Sequence, residues 1–192
     1  MLDESIVRII DKTIKEIWVN EIKNDYEGDY LLKEDSLKNS MYFHLRTKLD
    51  TILKKYNLRI FPEYSFPELK CRADLVIVQM DTESENYYLK ERVKNIIAIF
   101  ELKYVNVSTN DRATEQWILN DIRKFKRYIQ KGKMDAQFYF AVIYENERAS
   151  STWMDKRSSN NWAKGKVTEL NALWVSDEMK FEVNSYNELN KD

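Results

Sequence analysis

Apolar residues recur at helical spacing at Ile6, Ile10, Ile14 and then Ile17 or Trp18. This predicts an amphipathic packing helix over roughly the first twenty residues. Asn24 to Asp29, with Gly28, reads as the turn that ends it. A second helical stripe runs through Leu37, Met41, His44 or Leu45, Lys48 or Leu49, Ile52 and Tyr56. Leu58 to Phe66 then alternates as a first strand, with Ile60, Pro62, Tyr64 and Phe66 on one face and Phe61, Glu63 and Ser65 on the other. Pro62 marks it as an edge or bulged strand.

Two short β-branched runs follow. Arg72-Ala73-Asp74-Leu75-Val76-Ile77-Val78 and Asn95-Ile96-Ile97-Ala98-Ile99-Phe100-Glu101-Leu102-Lys103 are each predicted to be a buried strand. The polar stretch between them, Asp81 to Asn95, reads as a long hairpin insertion. Asp111 to Gly132 is a third helix, with Asp111 as N-cap and Gly132 just past its end. Ile118, Ile122, Phe125 and Ile129 form its core stripe, beside a mixed stripe of Ala113, Trp117, Asp121, Lys124 and Tyr128. Gln137 to Glu145 is almost continuously apolar, which suits a central parallel strand returning after that helix. Val167 to Val175 and Met179 to Tyr186 read as a hairpin beyond the minimal core, joined at Ser176-Asp177-Glu178.

Charge changes the picture at the two buried runs. A buried strand should carry none, yet Asp74 opens the first, and Glu101 and Lys103 close the second. Side chains alternate on a strand, so Glu101 and Lys103 share one side of the sheet. Pairing the two runs as a hairpin sets Asp74 beside Glu101. Two adjacent carboxylates call for a cation, and hard oxygen ligands suit Mg²⁺. The plainer alternative is a buried ion pair at a strand end.

At these residues the chain resembles the PD-(D/E)XK nuclease superfamily, the fold of restriction endonucleases and Holliday-junction resolvases. The likeness rests on Asp74 at a strand start and an apolar strand ending Glu101-Leu102-Lys103, with Ala73 in place of the motif's proline. It implies an α/β fold with a restriction endonuclease-like core: a mixed central sheet flanked by helices, here with an extra N-terminal helix and a C-terminal β-hairpin. It implies a divalent-metal-dependent nuclease that hydrolyses the phosphodiester bonds of nucleic acid, DNA first among its substrates. Asp74, Glu101 and the backbone carbonyl of Leu102 would hold Mg²⁺ (or Mn²⁺), which polarises the phosphate and lowers the pKa of a bound water. Lys103 would orient that water or stabilise charge on the phosphate, and burial near a cation could depress its pKa enough for base work.

The superfamily's opening helix often supplies a third carboxylate, and Glu34-Asp35-Ser36-Leu37 fits that place. Glu34 could equally serve only to complement the helix dipole. Glu63 is the reserve ligand, or else an exposed strand residue. Asp121, Lys124 and Phe125 resemble an acidic–basic–apolar pattern found on the superfamily's next helix, so Lys124 would reach a phosphate, as would Arg72. Without that role, Asp121 and Lys124 form an intrahelical pair on a solvated face.

Composition narrows the rest. The chain has 192 residues, 43% hydrophobic and 33% charged, consistent with one globular domain. Within it, residues 1–22 would be the packing helix, 33–145 the core and 146–192 the C-terminal loop and hairpin. Net charge is −1, so contact with nucleic acid must come from a local patch. Arg123, Lys124, Lys126, Arg127, Lys131 and Lys133 cluster on the third helix, partly as the dipole would favour. Three glycines and no phosphate-cradling loop give no support to ATP or GTP hydrolysis. The single Cys71 rules out an internal disulfide, and the single His44, amid apolar residues, leaves no histidine-rich metal site or Ser-His-Asp arrangement. The loop with Trp153, Lys156, Arg157 and Trp162 could stack a base, or be pinned to the surface by its tryptophans. No signal peptide or membrane span is evident, so a cytoplasmic location is expected, with a homodimer left open. The rival to catalysis is a nuclease-fold module that binds nucleic acid or a protein without cutting.

Overall fold

The computed structural model describes residues 2–106, 111–147, 150, 152–155 and 160–186, without the side chains of 111–114. Its centre is one six-stranded mixed sheet in the order β1-β2-β3-β4-β5-β6. The strands are β1 (Leu58–Phe66), β2 (Cys71–Met80), β3 (Val93–Val105), β4 (Gln137–Glu147), β5 (Val167–Val175) and β6 (Glu178–Ser185). β3–β4 and β4–β5 run parallel and the other neighbours antiparallel. The chain is therefore α/β, and β1, with its Pro62, is an edge strand, as a residue that cannot donate to a ladder requires.

Helices cover both faces. On one lie α1 (Glu4–Glu16), its continuation through a π-helical turn (Ile17–Ile22) and α2 (Lys23–Glu27), then α3 (Glu34–Lys48) and α4 (Asp50–Lys55). Ile10, Ile14, Trp18, Leu37, Met41 and Leu45 from these helices pack on Leu75, Phe100, Leu102 and Tyr139 of the sheet. On the other lies α5 (Asp111–Gln130), whose Ile118, Ile122, Phe125 and Tyr128 pack on Ile99, Phe138, Phe140 and Val142. β4 is buried from Phe138 to Tyr144, as a central strand covered on both faces must be. Among the described residues no helix is long and apolar enough to cross a membrane.

The first helix runs further than its sequence suggests. It is capped by Asp3, whose carboxylate accepts from the Ser5 N–H at 2.8 Å, and it ends only at Gly28, whose N–H donates to the Asn24 carbonyl. The π-helical turn rotates the stripe so that Ile17, Trp18 and Ile22 all face the sheet. The second helix instead breaks at Leu49, and its buried side follows Leu45, Leu49 and Leu53, leaving Ile52 and Tyr56 half covered. Asp111 as N-cap lies outside the described side chains.

The alternation expected of β1 also fails, at one residue. Ile60 packs into the core with the N-terminal helices, whereas Tyr64 and Phe66 join the α5 side. Glu63 between them has φ 53°, the left-handed region, and the ladder passes from Pro62–Leu75 to Tyr64–Ala73 without pairing Glu63 and Asp74. The C-terminal hairpin is no appendage: β5 pairs with β4 and extends the main sheet.

Candidate active site

The site forms where β2 begins and β3 ends. In the antiparallel β2–β3 ladder Leu75 pairs with Phe100, so one step on Asp74 stands beside Glu101. Asp74 Oδ2 accepts from the Leu102 backbone N–H at 2.7 Å, which locks this carboxylate against β3. Across the sheet, Ser36 fixes the start of α3: its hydroxyl accepts from the Leu32 and Lys33 N–H groups and donates to the Lys33 carbonyl. That start delivers Glu34, whose Oε2 lies 2.8 Å from Lys103 Nζ. Asp74, Glu101, Lys103 and Glu34 thus come together, as their places on the chain predict.

α5 closes the site from its own side of the sheet. Lys124 Nζ is 2.8 Å from Glu101 Oε2 and 2.8 Å from Asp121 Oδ1. Tyr128 donates to Glu101 Oε1 at 3.3 Å. Lys103 Nζ is 3.2 Å from Asp121 Oδ2, a contact by distance in which that buried oxygen still receives no hydrogen bond. Asp121 is only 4% exposed and Glu101 is fully buried. The Asp121–Lys124 pair therefore exists, with Asp121 buried against β3 and Lys124 partly exposed at the cleft.

Burial sets the electrostatics. It raises the Glu101 carboxyl well above the usual range, helped by the charge of Asp74 and opposed by Lys124. Asp74 is raised for the same first reason; the Leu102 N–H pulls it back down and Glu34 pushes it up. Opposing influences set Lys103. Burial lowers its pKa, but the charge of Asp121 and the hydrogen bond and charge of Glu34 outweigh that, so it ends above the ordinary lysine value. Its carboxylate neighbours thus favour the ammonium form.

The cleft above this network encloses about 540 Å³. Glu34, Asp74, Cys71 and Asn120 line it together with Lys70, Arg72, Lys103, Arg123, Lys124 and Arg127. Six cations against two lining carboxylates make a local basic field on a chain whose net charge is −1. Arg72 lines the cleft yet is tied by Nε to Glu63 Oε2 at 2.7 Å. Glu63 does not line it: its other oxygen accepts from Lys38 of α3, so both oxygens are already engaged.

Several contributors carry no distinct signal along the sequence. Lys38 lies one helical turn after Glu34 and the Glu63 it binds is remote in sequence, so only tertiary structure reveals the pair. Tyr128 was visible only as part of the mixed stripe, and Arg123 and Arg127 as charge that the dipole could explain. Trp153 itself is held in place. Trp153 is buried against Tyr144, and buried Glu169 accepts from the backbone N–H groups of Trp153 and Met154. Lys156 and Arg157 lie outside the described residues. His44 is half buried and meets Asp25 Oδ2 at 2.9 Å, which Ser40 also contacts, so no serine–histidine relay forms there.

The donor chemistry fits a hard divalent cation in character: two carboxylates raised by burial, with repulsion between them, and one buried oxygen of Asp121 lacking a hydrogen bond. Among the described residues, however, no three histidine, cysteine, aspartate or glutamate side chains form a ready-made metal group. Lysines now supply the positive charge. Comparison of the chain with protein-family models, with curated proteins and with solved structures gave no match.

Proposed function

We propose that this chain is a divalent-metal-dependent nuclease built on a restriction endonuclease-like core, hydrolysing phosphodiester bonds of nucleic acid. The observation that carries the reading is the meeting of Asp74, Lys103 and Glu34 in the lining of a basic cleft, with Glu101 buried behind them and joined to the cleft through Lys124. Asp74, Glu101 and the Leu102 carbonyl are the groups that would hold Mg²⁺ or Mn²⁺. When bound, the ion supplies charge to polarise the phosphate and to acidify a water.

The chain's own residues do the rest. Lys103, kept an ammonium by Glu34 and Asp121, stabilises negative charge developing on the phosphate. Glu34 orients that ammonium from the far layer. Lys70, Arg123 and Arg127 face the cleft and bind flanking phosphates, which hold the scissile bond in place.

One observation favours the alternative of a module that binds nucleic acid without cutting: both oxygens of Glu101 already have partners, Lys124 and Tyr128. A cleavage assay on DNA and RNA with Mg²⁺ or Mn²⁺, against EDTA, separates the two. We expect cutting only with the cation. Glu101→Ala should abolish it while thermal unfolding stays close to wild type. Lys103→Ala should keep metal binding, since an ammonium is no ligand, and lose about 10²–10³ in rate. Cleavage unchanged in Glu101→Ala would overturn the assignment, and binding without cleavage across several substrates would establish the module.

A further inference from the structure

Lys124 stands where the proposed function needs a divalent cation. Its ammonium bridges Glu101 on β3 and Asp121 on α5 at 2.8 Å each, so one charge serves two buried carboxylates. Lys103 does not share this duty, because its partners are Glu34 and Asp121 and it makes no ion pair with Glu101. Taking the nuclease reading as its basis, we propose that Lys124 is a placeholder cation: it neutralises Glu101 in the free protein, yields that carboxylate to the divalent ion, and then binds a phosphate of the nucleic acid.

Three features support the exchange. A divalent ion and an ammonium on one carboxylate would repel strongly within a few ångströms at a carboxylate this deeply buried, so they compete. Glu101 does not lose its position when Lys124 leaves, because the Tyr128 hydroxyl still donates to Oε1. Lys124 has somewhere to go, since its side chain is 33% exposed and already lines the cleft beside Arg123 and Arg127.

Competition has a thermodynamic consequence. Nucleic acid that draws Lys124 away lowers the cost of metal binding, and by linkage metal raises the affinity for nucleic acid equally. The free protein therefore holds metal weakly, and the site is completed when both ligands are present.

The test is calorimetric titration of Mn²⁺, without nucleic acid, into wild type, Lys124→Gln and Glu101→Ala. Lys124→Gln should bind Mn²⁺ at least about tenfold more tightly than wild type, within the usual span of a coupling between sites. Glu101→Ala should not bind it. With Mn²⁺ present, Lys124→Gln should bind a non-cleavable oligonucleotide more weakly than wild type, and in EDTA the two should bind alike, read by fluorescence anisotropy. If Lys124→Gln binds Mn²⁺ no more tightly than wild type while Glu101→Ala loses it, the placeholder is overturned and the nuclease reading stands. If none of the three proteins binds Mn²⁺, both fall. Should Lys124→Gln not fold, the Nζ resonance of Lys124 in wild type, assigned with Lys124→Arg, decides the matter. It should shift on adding Mg²⁺, and an unmoved resonance overturns the proposal.

Discussion

Glu63 is the residue where backbone and side chain disagree. A φ of 53° costs a non-glycine residue of order 1 kcal/mol, and an edge strand has no need of it. What keeps it there is the carboxylate, held between Lys38 of α3 and Arg72 of β2. The Lys38 hydrogen bond lowers the Glu63 pKa; desolvation opposes this, and the charges of Lys38 and Arg72 add to it. A lowered folded pKa means the stabilisation is fully present above the ordinary value, near 4.5, and is lost as pH falls through the lowered one. Glu63→Gln cannot titrate, so it isolates this effect. In urea unfolding, wild type should exceed Glu63→Gln at pH 6, and the gap should close toward pH 3. A gap independent of pH would mean that Glu63 is held by its backbone alone. At this scale Asp74, Glu101 and Lys103 were legible because strand alternation constrains them whatever the rest of the fold does. The fate of Glu63 was not, since it is decided by Lys38, which is 25 residues away along the chain.

Most elements could be read from hydrophobic period alone, and where they could not, a local conformation or a distant partner intervened. The break at Leu49 and the extension to Gly28 arise from packing choices among equally helical residues. The β5–β6 turn shows what local chemistry does settle. Ser176 and Asp177 have φ of 52° and 64°, so both central residues are left-handed, and Val175 pairs directly with Glu178. This is the mirror-image turn that suits the right-handed twist of a hairpin, and its second place favours glycine. Asp177→Gly should therefore raise stability, by a few tenths to about 1 kcal/mol, because relief of the left-handed strain exceeds the extra freedom of the unfolded chain. Chemical unfolding measures this directly. A loss of stability would indicate that the Asp177 side chain contributes more to the turn than its backbone costs. What the pattern around this turn does not disclose is that β5 joins β4 in parallel, because parallel partners are linked through α5 and the Trp153 loop and not through a turn.

Seen whole, the molecule ties its ends together and concentrates its charge. Trp18 of the first helix donates to the Asn171 carbonyl of β5, and Lys15 to Ser185 of β6, so the N-terminal helix and C-terminal hairpin brace one sheet. Length and composition led to the expectation of one globular domain, but not that its terminal pieces would meet. The near-neutral net charge excluded a global basic field and left a local one to be found, and the cleft supplies it. Its strength can be predicted by sorting the cations. Lys103 and Lys124 are committed to buried carboxylates and Arg72 to Glu63. Among the described residues Lys70, Arg123 and Arg127 pair with no carboxylate, so these three are available for phosphates before any metal binds. Each phosphate neutralised on duplex DNA contributes about −0.9 to the slope of log affinity against log salt. Duplex binding in EDTA should then fall with a slope of about −2.7, and Arg123→Gln combined with Arg127→Gln should bring it to about −0.9. Affinity measured between low and physiological KCl provides the slope. A slope that the double substitution leaves unchanged would place the nucleic acid somewhere other than this cleft. A slope steeper than −2.7 that appears only when a divalent ion is added is the signature expected if Lys124 has been released to join them.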